Sequence, residues 1–211
     1  LMERLQTLLK DYIKNNNTDF NKHEWTKSFE IKPYPVYWQS VYAIAKSLPK
    51  SLSVLEIGAG FGFVTSIFKY LEFENIESFE QDAYLCNVGN KMLSQLFQCD
   101  DCIKPLKFNL QEVPADILVL VNCSYADGCE NKEEYKCRLL SYYNKANKPN
   151  YYILEVIDSS YQEYDENFPC HVRLSSEDII QMFPDFKISS WPTYIYPQNK
   201  KSKTLYLIEK K

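Results

Sequence analysis

Residues 54–65 read VLEIGAGFGFVT. An apolar strand-like run ends at Ile57, glycines occupy alternate positions 58, 60 and 62, and a helical pattern starts near Gly62. The chain has only five glycines in 211 residues, so three within five positions carry information. Without a Cβ, a glycine lets the backbone turn sharply and lets a ligand approach the main chain. A strand, a glycine turn and a helix in this order belong to open α/β sheets, where ligands bind beyond the carboxyl ends of the strands. Glycine turns of this kind also occur as plain strand-to-helix connections.

The flanking sequence fits that frame. Residues 1–14 place Leu1, Leu5, Leu8, Leu9 and Tyr12 at helical spacing, and Asn15-Asn16-Asn17 ends the pattern. A second short helix is expected over 19–28 and a third over 36–48, after the stiff break Lys32-Pro33-Tyr34-Pro35. From residue 52 strands and helices alternate. Strands are expected at SVLEIG, at 75–80, within IKPLKFNL, at ADILVLVN and at YYILEVI, and helices at 62–71, 83–97 and 131–145. ADILVLVN is almost wholly apolar, as a central parallel strand covered on both faces must be. SSEDIIQMF opens with a helix start signal. FKISSWPTYIYP and TLYLIEK, joined by QNKKSK, read as an antiparallel hairpin. The expected architecture is α/β: a Rossmann-like, seven-stranded, mostly parallel sheet with helices on both faces and a C-terminal antiparallel hairpin. One domain is expected over 1–211, with a helical cap over 1–50 and an α/β core over 51–211.

Two ligand classes use glycine turns of this kind. A dinucleotide site requires G-x-G-x-x-G, with pyrophosphate at the helix N-terminus. Here the position of the third glycine is Phe63, and Glu56 stands one residue inside the strand end. A carboxylate there repels a pyrophosphate and suits a cation. S-adenosylmethionine (SAM) carries an ammonium and a sulfonium and has no phosphate, so electrostatics favours it.

The segment EIGAGFG resembles motif I of the class I SAM-dependent methyltransferases. A second feature is Phe79-Glu80-Gln81-Asp82, about 20 residues past the glycines, where a ribose-binding carboxylate is expected. The resemblance implies SAM as cofactor and S-adenosylhomocysteine (SAH) as product. It assigns Glu56, Gly58, Ala59, Gly60, Gly62, Glu80 and Gln81 to the cofactor, with Asp82 as the alternative to Glu80. For adenine, Asn109 and Gln111 are candidates after the third strand, as is the loop Asp100-Asp101-Cys102. The family more often has an Asp after that strand, and this chain does not.

Methyl transfer needs an aligned nucleophile and, for a hydroxyl, a group that removes its proton. After the fourth strand comes Asn122-Cys123-Ser124-Tyr125-Ala126-Asp127-Gly128. Its N-x-x-Y spacing is similar to the N-P-P-Y motif of amino-group methyltransferases, without the prolines. Asn122 is therefore a candidate for the cofactor side, Tyr125 for the acceptor, and Asp127 for the base, the last also reading as an ordinary turn residue before Gly128. After the fifth strand a long aromatic and acidic segment brings Asp158, Tyr161, Tyr164, Phe168 and His171. Asp158 and Tyr161 are candidate acceptor ligands. His171, one of two histidines, is a candidate base, because an imidazole titrates near neutrality. His23 is a weaker one. Tyr34, Tyr37, Trp38 and Tyr42 either cover the pocket or seal the cap onto the sheet.

Composition narrows the partners. Net charge is −4 and no long basic run occurs, which disfavours nucleic acid. Seven cysteines in no paired pattern read as reduced thiols of a cytoplasmic protein; Cys99 and Cys102 lack the second pair that a zinc site needs. No stretch approaches the roughly 20 apolar residues of a membrane span. The function expected is metal-independent transfer from SAM to a hydroxyl of a small molecule, with a sugar or sugar nucleotide as one class. The alternatives are an N-methyltransferase using Asn122 and Tyr125, and a scaffold that keeps the fold without turnover.

Overall fold

A computed structural model describes residues 2–20, 23, 35–108, 112–123, 128–193 and 203–211. The chain begins with three helices, α1 (Met2–Asn15), α2 (Asn17–Phe20) and α3 (Val36–Ser47). Strands and helices then alternate: β1 (Val54–Ile57), α4 (Phe63–Tyr70), β2 (Ile76–Phe79), α5 (Ala83–Phe97), β3 (Ile103–Lys104), β4 (Ile117–Leu120), α6 (Lys132–Lys145) and β5 (Tyr151–Asp158). A 3-10 turn (Cys170–Val172), β6 (Arg173–Leu174), α7 (Ser176–Met182), β7 (Phe186–Pro192) and β8 (Lys203–Lys210) complete it.

The helix starts follow their sequence signals. Asp82 caps α5 by accepting the N–H groups of Tyr84 and Leu85, and Asn131 caps α6 by accepting that of Glu134. Ser175 and Asp178 form a reciprocal capping box on α7. Pro105 follows β3 directly and holds that strand to two residues, at the start of the IKPLKFNL run.

The sheet runs β3-β2-β1-β4-β5-β8-β7, with β6 pairing β5 off this path. β1 to β6 are mutually parallel where they pair, and β8 is antiparallel to both β5 and β7. This is the expected parallel sheet with a closing hairpin. The eighth strand, β6, is an addition. It lies in a segment without strand periodicity and pairs with the last two residues of β5, which run on past the end of β4.

Two apolar layers cover the sheet. On one face α1, α3, α4 and α5 pack over Val54, Val119, Ile153 and Leu205. On the other, α6 and α7 pack over Leu55, Leu118, Leu154 and Ile208. Side chains on a strand alternate between these faces. The cap is docked through aromatic residues. Phe20 lies against Phe61, with ring centroids 4.8 Å apart, and fully buried Trp38 donates its indole N–H to the Phe63 carbonyl at 2.9 Å. Tyr84 reaches back from α5 to donate to the Asp19 carbonyl at 2.7 Å. Of the expected second helix, Asn17–Phe20 is helical and most of the remainder lies outside the described residues.

The cysteine reading needs correction. Cys99 and Cys102 are joined as a disulfide between the end of α5 and β3, where reduced thiols were expected. The turn around Asp101, which has φ of +54°, brings the two Cα atoms to 6.2 Å, within bridging range. Among the described residues no helix is long and apolar enough to cross a membrane.

Candidate functional site

The glycine turn lies where β1 meets α4, at the carboxyl edge of the sheet. Gly58, Gly60 and Gly62 all adopt positive φ (72°, 56° and 79°), a region that residues with a Cβ enter only at a cost. The N–H groups of Gly58 and Ala59 both donate to the Phe79 carbonyl at the end of β2, at 2.8 and 3.0 Å. That bonding pins the turn to the neighbouring strand and points it across the sheet edge.

Two of the glycines have a packing reason to be bare. A Cβ on Gly58 would lie 2.5 Å from the Cβ of Cys123, whose thiol donates to the Ile57 carbonyl at 3.0 Å. A Cβ on Gly62 would lie 2.9 Å from the Ile103 side chain and 3.1 Å from that of Leu93. Side chains thus pack against positions 58 and 62, and Gly58 and Gly60 are both partly exposed.

Glu80 completes the turn. One carboxylate oxygen accepts the Gly60 N–H at 2.9 Å and the other accepts the Asp82 N–H at 2.9 Å. The acidic side chain at the end of β2 is thus aimed at the turn after β1. Asp82, the alternative, is committed to capping α5, and Gln81 lies exposed between them.

Glu56 is 2% exposed. It accepts a hydrogen bond from Thr65 at 2.5 Å and one from Ser78 at 3.4 Å. Burial pushes its carboxyl up to about 7, against the smaller opposing effect of those two hydroxyls. Glu56 therefore carries only part of a negative charge near neutrality, and a cation placed beside it draws out the rest.

A polar group that the sequence did not reveal extends from Glu56 along the same sheet face. Glu155 lies on β5 opposite Leu205 of β8, and Lys203 opens β8 opposite Ile157. Both are buried, with side-chain exposures of 0% and 6%. The Lys203 ammonium donates to Asn122 Oδ1 at 2.6 Å and lies 3.7 Å from Glu155, which accepts the Asn122 backbone N–H at 3.1 Å. Burial lowers the Lys203 pKa, and the Glu155 charge opposes that shift. Tyr37, in the first turn of α3, faces this group from the cap: burial first, then the charges of Glu155 and Glu56, raises its phenol. Lysine and glutamate inside strands have no motif in this sequence. An alternation reading of β5 and β8 that flagged their charged positions as inward-facing would have found them.

The loop after β5 is ordered by Arg173, 5% exposed. Its guanidinium donates to the carbonyls of Phe168, Tyr161 and Glu163 and lies 4.6 Å from the Tyr161 ring centre. Tyr161 donates its hydroxyl to Asp165 at 3.2 Å. Asp158 accepts from Thr204 at 2.7 Å and from the Ser160 N–H at 2.8 Å, so it holds the strand end together. His171 is in the 3-10 turn packed on α6, and its Nε2 is buried with no hydrogen-bond partner among the described residues. His23 stacks edge-on to Phe61. Asn109, Gln111, Tyr125 and Asp127 lie outside the described residues, as does Tyr34. Among the described residues no group of three His, Cys, Asp or Glu side chains is placed to hold a metal ion. A cleft of about 260 Å³ lined by Ser53, Glu74, Glu77 and Pro114 opens at the amino-terminal ends of β1 and β2, opposite the glycine turn.

No protein-family model matches the sequence, and no curated protein matches it. Solved structures do match in fold. Magnesium protoporphyrin IX methyltransferase from Synechocystis, crystallised with SAM, superposes with a TM-score of 0.63 at 13% identity over 97% of each chain. The TehB protein of Haemophilus influenzae gives 0.57 at 15% identity, over 82% of this chain and 62% of TehB. A SAM-dependent methyltransferase from Aquifex aeolicus gives 0.52 at 12% identity, over 82% and 88%. The chain has the Rossmann-like fold of the class I SAM-dependent methyltransferases.

Proposed function

We propose that the protein is a SAM-dependent methyltransferase acting on an oxygen of a small molecule, a hydroxyl in the first instance, without a metal ion. The observation that carries this reading is the Glu80–Gly60 hydrogen bond, which joins the acidic end of β2 to the glycine turn after β1. A carboxylate held there can accept both hydroxyl protons of a ribose, and the turn leaves Gly60 accessible beside it. The Synechocystis enzyme, whose fold this chain shares, has been crystallised with SAM and with SAH.

The residues present fit such a ligand. Glu80 holds the ribose. Glu56, just inside the strand, suits the ammonium, and its proton leaves when that cation arrives. Bound SAM supplies a methyl carbon already activated by a positive sulfur. The chain's own task is to exclude water, hold the two reactants in line and deal with the acceptor's proton. The cap aromatics Tyr37 and Trp38 close over the sheet edge. His171 and Asp127 stay as proposed bases, and Asp158 and Tyr161 contribute by shaping the loop after β5.

The amine reading is the weaker one. It requires Asn122 Oδ1 to accept a hydrogen bond from the acceptor nitrogen, but that oxygen accepts from Lys203, whose charge repels a protonated amine. A sugar or sugar nucleotide is one acceptor class to screen.

Calorimetry with SAM and SAH tests the cofactor site. Micromolar binding that is lost in Gly60→Arg supports it, and a variant that binds like the parent removes it. A scaffold binds SAM, or nothing, and forms no SAH with any acceptor pool.

A further inference from the structure

We infer that Lys203, with Asn122 and Glu155, forms the acceptor end of this site, and that the acceptor presents an ionised oxygen, a carboxylate or a phenolate, to the methyl group. The inference rests on the methyltransferase reading and deepens it.

Three observations carry it. The first is placement. Lys203 begins β8 opposite Ile157 of β5, and Asn122 is the second residue after β4, so both stand at the carboxyl edge that holds the glycine turn. The second is order along that edge. Glu56 lies on β1 next to the turn, Glu155 lies on β5, and Lys203 lies beyond it on β8. The charges of both carboxylates act on Tyr37 of the cap. Negative groups thus stand on the side of a cationic cofactor, and the ammonium stands farthest from it, where the nucleophile must enter. The third is burial. Lys203, with 6% side-chain exposure, is offset by Glu155 at 3.7 Å, and an ionised oxygen that takes the place of Asn122 Oδ1 on the ammonium gives it a charge-assisted hydrogen bond in exchange for a neutral acceptor.

Arg173 is also buried at this end, but it is committed to three loop carbonyls. One of those carbonyls belongs to Phe168, whose ring lies 5.9 Å from the Lys203 ammonium. The loop that Arg173 orders therefore supplies an apolar wall beside Lys203, suited to the ring or chain that bears the acidic oxygen.

For an acceptor that binds already ionised, the step balances without a proton passing to His171 or Asp127. The acceptor gives its proton to water before binding. A lone pair of its oxygen forms the new O–C bond as the C–S bond breaks, and the electron pair of that bond stays on sulfur. The products are a methyl ester or aryl methyl ether and neutral SAH.

The test uses the whole chain loaded with SAH and three probes: benzoate, 4-nitrophenol and benzylamine. Binding is followed by calorimetry and, for 4-nitrophenol, by the absorbance of its phenolate. The expected result is binding of at least one anion, with bound 4-nitrophenol ionised at a pH where the free compound is largely neutral. Lys203→Met should weaken anion binding by about tenfold or more, as expected for losing a charged hydrogen bond, while Lys203→Arg keeps part of it. The SAH affinity of both variants should stay within about threefold of the parent, which also reports that they fold. Binding of benzoate alone assigns a carboxylate acceptor, and binding of the phenolate alone a phenol. Benzylamine binding as tightly as the anions, no anion binding, or anion binding unchanged in Lys203→Met overturns the inference. Failure of the parent chain to bind SAH overturns the methyltransferase reading itself, and this inference falls with it.

Discussion

The Glu80 carboxylate accepts the Gly60 N–H at 2.9 Å across twenty positions of sequence. The bond joins two separate strand ends into one edge at the carboxyl side of the sheet. If Glu80 holds the ribose, Glu80→Ala loses a charge-assisted hydrogen bond and SAM affinity should fall by about tenfold to a hundredfold. Glu80→Gln should fall less, because an amide oxygen still accepts one proton. Calorimetry on the two variants decides it; equal affinities for both and the parent would separate Glu80 from the cofactor.

Glu56 should impose a pH dependence on stability and on binding, with opposite signs. Its carboxyl is pushed from 4.5 to about 7 by burial. The native state therefore holds a proton that the unfolded chain has lost throughout that interval. The contribution of Glu56 is fully present below pH about 4.5 and declines as pH rises to about 7, a fall on the order of 3 kcal/mol. Urea unfolding at pH 5 and pH 7.5, in the parent and in Glu56→Gln, isolates this component. SAM binding should behave in reverse. The ammonium needs the ionised carboxylate, so affinity rises as pH passes through about 7 and the rise flattens in Glu56→Gln.

The sequence made the frame of the site legible and left its acceptor end dark, for physical reasons. Strand, glycines, helix and acidic strand end are local patterns, each set by a backbone need that a few neighbouring residues disclose. Their order is enough to place Glu56, Gly60 and Glu80 on one edge. Lys203 and Glu155 meet only because β8 inserts antiparallel beside β5, a pairing of residues 48 positions apart that no local spacing encodes. The same holds for Arg173. Its role emerges only when the loop folds back over it. β6 was missed because two residues are too few for a period. The three glycines are expected to turn the chain and to admit a ligand, and Cys123, Leu93 and Ile103 show that packing also keeps two of them bare, which no local spacing discloses.

That division of labour among the glycines is itself testable. Gly62→Ala forces a Cβ against Ile103 and Leu93 in a left-handed conformation, and should cost about 1–3 kcal/mol of stability. Because the clash faces the core, SAM affinity should change little at temperatures where the variant is folded. Leu93→Ala should relieve part of the overlap in Gly62→Ala and leave the backbone strain. Urea midpoints for the single and double variants, with calorimetry at 15 °C, check both halves.

The buried pair Glu155 and Lys203 makes a different demand on stability. Removing one partner leaves the other charge uncompensated in the interior, so Glu155→Gln should destabilise by about 3–5 kcal/mol. Replacing both, as Glu155→Gln with Lys203→Met, removes the charges together and should recover most of that loss. A double-mutant cycle from urea unfolding gives the coupling. Additive losses would mean that the two charges do not act as a pair.

Arg173 holds the loop after β5 from within. Its three carbonyl contacts, at Phe168, Tyr161 and Glu163, span a segment with few buried apolar anchors of its own. Arg173→Gln is too short to reach them and carries no charge, so those carbonyls lose their donors together. Residues 159–169 should then open locally well below the cost of global unfolding. Limited proteolysis should cut that segment at least about tenfold faster than in the parent, since cleavage follows the population of the open form. The same variant should weaken acceptor binding more than SAH binding, because Phe168 stands beside Lys203 and not beside the glycine turn. A proteolysis pattern unchanged from the parent would show that the loop is held by its own turns, Asp158 to Ser160 and Asp165 to Asn167, and that Arg173 is a passenger.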